Sequence, residues 1–474
     1  MADVLPFRGL RYSKSVVRDL AKVVCPPYDI ISPAFHEELK HRSEFNFIRL
    51  EDAESRPQDT PRDSKYTRSA ATLRQWLDRR ILIPERKPAI YLHDHHFTHA
   101  GKRLVRRGIT ARVRLEEWEN GIVRPHEGIL GAARDDRLNL LWALQVNTSP
   151  VLAMYEDNRK RLAHLLDGQE SLKPVIDVTP PEGDRHVIRA ITDAGTVDRI
   201  SRHFAGLPLY IADGHHRYTS ALTYRREKMA TTPGAPADDA FNFVMMTLVS
   251  FTDPGLVILA PHRLISGLQK SVVEGLETRL AEFFGVAKLP LNGKDVWKKV
   301  DRLMAESGPV RFSCLAAGSD RLLVLTLKEP NGIARTMPLF HSDLYRKLDV
   351  SVIDHVVLEK ILGLGIGGTD ESKISYSYDR QEGVDCVLRQ ECQLAFFLKP
   401  VKPSLIKAVA DAGDKMPRKS TYFYPKAPAG LVVNTLYQSP VSLSPSESLR
   451  MKNTGEAGMN DPIAPPRYPS LHSG

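Results

Sequence analysis

The chain has 474 residues, 42% hydrophobic and 26% charged, the ordinary composition of a soluble globular protein with room for two or three domains. Its formal net charge of +9 is spread through short basic clusters such as Lys102-Arg103 and Arg225-Arg226. No helix-turn-helix, zinc-finger or RNA-recognition pattern accompanies them, so anionic small molecules are the expected partners and nucleic acid is not. Four cysteines without a CxxC pair, no secretory leader and no apolar run near eighteen residues set the expectation of a cytoplasmic protein away from the membrane.

Near the N-terminus, Val23 to Ile31 is a strand-like run broken by Pro26-Pro27, which hold the backbone extended ahead of Tyr28-Asp29. Ser32 then caps a helix with Pro33 at its first position, running to about His41. Residues 51–64 read as a loop and Tyr66 to Arg79 as a helix. Ala89 to Phe97 and Lys102 to Arg114 read as two strands joined by the turn His99-Ala100-Gly101. The first carries His93, Asp94, His95, His96 and His99. Metal ligation is conceivable, since His93 and His95 share a strand face. Strand residues just ahead of a hairpin turn are usually exposed, however, and metal sites usually draw on more than one segment.

Arg124-Pro125-His126-Glu127-Gly128 is a glycine-bounded loop with an imidazole beside a carboxylate, a pair suited to acid/base or metal chemistry or to a plain loop ion pair. A capped helix from Asp135 to Leu144 follows, then the strand Val151 to Tyr155. Leu209 to Ala212 is a short apolar strand running into Asp213-Gly214-His215-His216-Arg217, with a helix from Tyr218 to about Met229. A helix N-terminus offers unpaired N–H groups and partial positive charge, Gly214 permits close backbone approach, and Arg217 supplies a planar fork for phosphate or carboxylate. The bland alternative is a solvated first turn capped by Asp213. Two adjacent histidines and an arginine make a poor purely structural turn, so an anion site is the expectation.

Beyond it, Phe241 to Phe251, Leu256 to Ala260, Pro309 to Ala316 and Arg321 to Leu327 are strand-like. Helices are expected at 269–284, 294–306 and 344–362. Gly363 to Gly368 lacks the lysine and hydroxyl of a P-loop and follows a helix, so it reads as a flexible turn. Lys415-Met416-Pro417-Arg418-Lys419-Ser420-Thr421-Tyr422-Phe423-Tyr424-Pro425-Lys426 mixes cations with hydroxyls and aromatics and suits closure over an anion. The whole is a mixed α+β chain: residues 1–437 as one domain with lobes at about 1–235 and 236–437, and 438–474 as a disordered tail.

Pro26 to Asp29, Arg124 to Gly128, Ala212 to Tyr218 and Met416 to Pro425 together resemble the signatures of a widespread prokaryotic family of unknown function, over residues 4 to about 437. The acid-Gly-x-His-Arg element opening a helix is more distantly similar to the ParB/sulfiredoxin superfamily, whose free serine kinases carry Asp-Gly-His-His-Arg. That resemblance implies a ParB/sulfiredoxin-like core, elaborated by further segments, with nucleotide phosphates at the strand-to-helix junction. Sulfiredoxins need a cysteine where this chain has His215, and ParB-type DNA binding needs a helix-turn-helix where it has the Phe241 to Phe251 strand.

The function so implied is a nucleotide-dependent, kinase-like phosphotransferase for a small hydroxyl-bearing substrate, using ATP or ADP with Mg²⁺. Gly214, His215, His216, Arg217, Lys415, Arg418 and Lys419 are the candidate phosphate-binding residues, and Asp213 and Glu127 the metal ligands. Asp29, His126, Glu127, Asp213 and His216 are the catalytic candidates, with Asp29 or Glu127 accepting the hydroxyl proton. The first and third motifs should therefore converge. Two other readings stay open: a nucleotide-binding switch without turnover, and a metal-dependent phosphoesterase built on His126, Glu127, Asp213, His215 and His216.

Overall fold

A computed structural model describes residues 2–437, apart from 61, 129–130, 307 and 366–368. The 438–474 tail and part of the Gly363 to Gly368 turn lie outside the described residues. The fold is mixed α/β. Its larger sheet has nine strands, eight of them in the spatial order Val123–Arg124, Leu209–Asp213, Val151–Tyr155, Phe243–Ser250, Lys102–Arg114, Ile90–His99, Arg185–Ile191 and Ile176–Val178. Val4–Leu5 pairs beside the long Lys102–Arg114 strand. The pairings are antiparallel except at the motif strand Leu209–Asp213, parallel to Val123–Arg124, and between Phe243–Ser250 and Val151–Tyr155.

The hairpin of Ile90–His99 and Lys102–Arg114 forms as its alternation suggests. Two of its histidines, His93 and His95, do not face solvent, whereas His96 and His99 are half-buried. His93, Asp94 and His95 are buried, because Arg185–Ile191 pairs on the open side of their strand and makes it internal. An internal strand has no free edge, and here later segments also cover its faces.

A second, six-stranded antiparallel sheet is built from Phe284–Pro290, Arg321–Leu327, Arg311–Ala316, Leu394–Phe397, His262–Ile265 and Ile374–Ser377. The chain leaves the first sheet only after Ser250, so Phe243–Ser250 belongs with the motif strand and not with a lobe beginning near 236. One hydrophobic cluster joins the second sheet to Met154, Tyr210 and Ala212 of the first. The expected 344–362 helix divides into Asp343–Arg346, Asp349–Val352 and a wider turn over Ile353–Ile361.

The last segment returns to the first lobe. Tyr422–Tyr424 pairs with Val257–Leu259, Ala429 bridges Cys25, Val433 bridges Leu10, and Asn434–Thr435 pairs with Val146–Asn147. All four cysteines are free. Among the described residues, no helix is long and apolar enough to cross a membrane.

Candidate functional site

The motif strand runs through Ile211 and Asp213 with a register shift against Val151–Tyr155, and Gly214 then turns the chain at φ +90°. The shift and the left-handed glycine end pairing and re-aim the backbone within two residues. The helix that follows spans His215–Thr231, three residues longer at its start than the hydrophobic spacing implies, so His215, His216 and Arg217 form its first turn. No side chain caps this end. Gly214, His215, His216 and Arg217, at this uncapped end, line a cavity of about 180 Å³.

Four separated stretches line that cavity. Tyr28 and Asp29 come from the first, Glu127 and Gly128 from the second, Asp213 to Arg217 from the third, and Lys419, Thr421, Tyr422 and Lys426 from the fourth, with Tyr378 from the second lobe. The Lys426 ammonium sits between the two acids of the first and third motifs. It donates to Asp29 Oδ2 at 2.8 Å and to Asp213 Oδ1, with its side chain only 8% exposed. Arg217 Nη2 donates to the other oxygen of Asp213 at 2.6 Å and Nη1 to the Pro150 carbonyl. Burial pushes the Asp213 carboxyl up, but Lys426 and Arg217 outweigh it and hold it well below the carboxylate range. Burial likewise works against the Lys426 ammonium, and the two carboxylates more than restore it.

The second and fourth motifs are zipped together along the backbone. Met416 N–H donates to the His126 carbonyl at 2.7 Å, and Lys419 N–H to Glu127 Oε1 at 2.9 Å. Arg124 and Tyr210 both donate to Asp411, which ties the strand end to the helix preceding the cationic segment. Burial raises the Glu127 carboxyl, opposed by the Lys419 N–H and ammonium.

The expected residues divide into two groups. Asp29, Glu127, Asp213, Gly214, His215, His216, Arg217 and Lys419 line the cavity; His126, Lys415 and Arg418 do not. His126 is fully buried, bonded through Nδ1 to the Ile211 carbonyl at 2.7 Å and through Nε2 to Thr421 Oγ1 at 3.0 Å. Burial brings its pKa to about 4, so it is neutral and braces the loop. His215, its pKa lowered by burial, accepts the His126 N–H at Nε2. Arg418 pairs with Glu371. His216 Nδ1 is buried and has no hydrogen-bond partner among the described residues. Burial and the nearby Arg418 and Lys419 lower its pKa.

Asp213 does not suit metal ligation, because both its oxygens are committed to cations. Glu127 and Asp29, which line the cavity, each keep one oxygen without a hydrogen bond among the described residues. Hard oxygen donors of this kind, completed by phosphate, suit Mg²⁺. Among the described residues, no group of three or more His, Cys, Asp and Glu is arranged to hold an ion by itself. Lys426 is the cavity residue that the sequence reading passed over. The signal was a lysine closing an aromatic-proline run in a cation-rich motif, and its carboxylate partners lie 213 and 397 residues away.

A family model described as "Protein of unknown function (DUF1015)" matches residues 4–351. Tyr378 and the Lys419 to Lys426 wall of the cavity lie beyond that span. No curated protein matches the chain. Among solved structures, a free serine kinase in complex with AMP is 13% identical with a TM-score of 0.32, the match covering 64% of this chain and 86% of that one. A conserved hypothetical protein from Pyrococcus furiosus is 12% identical with a TM-score of 0.31, covering 64% and 90%. SbnI with a C-terminal truncation, from Staphylococcus aureus, is 12% identical with a TM-score of 0.33, covering 72% and 92%.

Proposed function

The chain belongs to the DUF1015 family, and we propose that it is a nucleotide-dependent phosphotransferase acting on a small hydroxyl-bearing substrate. The observation that carries this reading is the meeting of four distant motifs in one cavity, lined by the residues of an uncapped helix N-terminus, by the three cations Arg217, Lys419 and Lys426, and by the carboxylates Asp29, Glu127 and Asp213. Phosphoryl transfer asks for alignment and charge neutralisation more than for a side-chain nucleophile, and this set supplies both. The Asp-Gly-His-His-Arg motif, similar to that of free serine kinases, supports the same chemistry.

In this reading the phosphates lie against the N–H groups that follow Gly214, beside Lys419 and the unpartnered His216 Nδ1. Arg217 and Lys426 form the cationic floor, fixed by Asp213. Glu127, raised by its surroundings, is the better base, and Asp29 anchors Lys426. The substrate hydroxyl gives its proton to Glu127 as its oxygen bonds to the terminal phosphorus. The bond from that phosphorus to its bridging oxygen breaks, and the shortened nucleotide leaves with the electron pair. Asp29, through its remaining oxygen, together with the phosphates would hold a Mg²⁺ whose contribution is neutralisation of phosphate charge. The phosphoesterase alternative loses its ligand set, because both His126 nitrogens and both Asp213 oxygens are already engaged.

Thermal-shift measurements with ATP, ADP, CTP and pyrophosphate, each with Mg²⁺, test the reading, since a ligand of the native state raises the melting temperature by mass action. A nucleotide shift that disappears in Arg217→Ala is expected. No shift with any nucleotide in the wild-type protein would overturn it.

A further inference from the structure

Directly behind Lys426, the first sheet buries a cation that makes no ion pair among the described residues. Arg106 is 4% exposed, and its guanidinium donates to the Pro425 carbonyl at 2.7 Å, the Tyr424 carbonyl at 3.3 Å and His95 Nδ1 at 3.1 Å. Among the described residues, no carboxylate lies within ion-pair distance of it. Burial lowers its pKa to about 10, still far above neutrality, so the charge is retained. A buried charge on neutral acceptors is costly, and three well-placed acceptors are what makes it tolerable.

Two of those acceptors are the carbonyls of the residues immediately before Lys426. The third fixes the direction of the whole chain of bonds. A guanidinium has only N–H groups, so His95 must offer the lone pair of Nδ1. Its proton is therefore on Nε2, which donates to Asp184 Oδ2 at 3.0 Å. The sheet register sets this row, with Arg106 opposite His95 on one side and His186 opposite it on the other. His95 is 1% exposed, whereas the Asp184 side chain is 28% exposed, so the chain runs from the edge of solvent to the cavity wall.

We propose that Asp184, His95 and Arg106 form a positioning chain that fixes the Tyr424 and Pro425 carbonyls and so sets the Lys426 ammonium between Asp29 and Asp213. None of the three lines the cavity of the four motifs. They act through Lys426, as a carboxylate acts through a histidine to orient a functional group elsewhere. The effect on turnover rests on the phosphotransferase reading; the placement of Lys426 does not.

The test uses the full-length protein and trace acylation with N-hydroxysuccinimidyl acetate, with modification of each lysine quantified by mass spectrometry. Wild-type Lys426, buried and clamped as an ammonium, is expected to label slowly against the exposed lysines. His95→Asn puts an amide oxygen where Nδ1 stands and keeps the acceptor for Arg106. His95→Gln places its amide near Nε2 and loses that acceptor. The proposal expects Lys426 labelling to rise several-fold in His95→Gln, to rise less in Asp184→Ala, and to stay near wild type in His95→Asn, at matched melting temperatures.

Equal labelling of Lys426 in His95→Gln and wild type would overturn the chain. So would equal increases in both His95 variants, which would assign the effect to ring packing instead of the acceptor. The nucleotide thermal shift is followed in parallel. A chain that holds in a protein binding no nucleotide would remove only the phosphotransferase reading. Nucleotide binding with Lys426 indifferent to His95 would remove only the chain.

Discussion

At the scale of single residues, the site sorts its titratable groups by environment. Glu127 is raised by burial, Asp213 is depressed by two cations, and His126 is kept neutral inside the protein. A base works only when ionised, so turnover should fall as pH drops through the raised Glu127 pKa. Glu127→Gln should lose about 10²–10⁴-fold in turnover while keeping the nucleotide-induced thermal shift. A pH–rate profile of the wild type together with binding to the variant checks both parts. The buried histidines make a separate prediction about stability. His93 and His126 both have folded-state pKa values of about 4, lowered by burial. With about 6.5 in the unfolded chain, their contribution is present above that value and is lost as pH falls toward 4, by at most roughly 3 kcal/mol for each. The drop in melting temperature between pH 7 and pH 5 should shrink in His126→Ala, whatever that variant's stability at pH 7.

At the scale of elements, the junction between the motif strand and its helix carries the site. Gly214 is there because φ +90° suits glycine and because a Cβ would come within 2.9 Å of the Arg217 guanidinium. Gly214→Ala should cost about 1–3 kcal/mol in backbone strain and displace Arg217 as well. Gly121 has φ +62° and open space around it, so Gly121→Ala isolates the strain alone. Calorimetric melting should destabilise both variants, and only Gly214→Ala should also lose the nucleotide shift. The strand, the glycine and the polar cluster were all legible in the sequence. The start of the helix was not, because His215, His216 and Arg217 give no apolar periodicity to read. Gly214 takes the N-cap position with no capping side chain to announce it.

At the scale of the whole molecule, the site is completed by chain that returns from the second lobe. Residues 413–437 bring Lys419, Tyr422 and Lys426 to the cavity and then add Ala429, Val433 and Asn434–Thr435 to the first lobe. Ending the chain at residue 412 should therefore lower the melting temperature and abolish the nucleotide shift together. A truncated protein that still binds nucleotide with wild-type affinity would show that the returning segment is dispensable.

The sequence alone determined the mixed α/β class, most strands and helices, the membership of the family and the four motifs. All of these are local in character, set by hydrophobic period, turn residues and short signatures. Only the tertiary structure decided that His93 and His95 are internal, that His126 braces instead of lining the cavity, and that Asp213 is saturated by cations. It alone decided that Lys426, and not Lys415 or Arg418, stands between the two acids. Those outcomes depend on strand order and on contacts spanning hundreds of residues, where no local period or spacing records the partner.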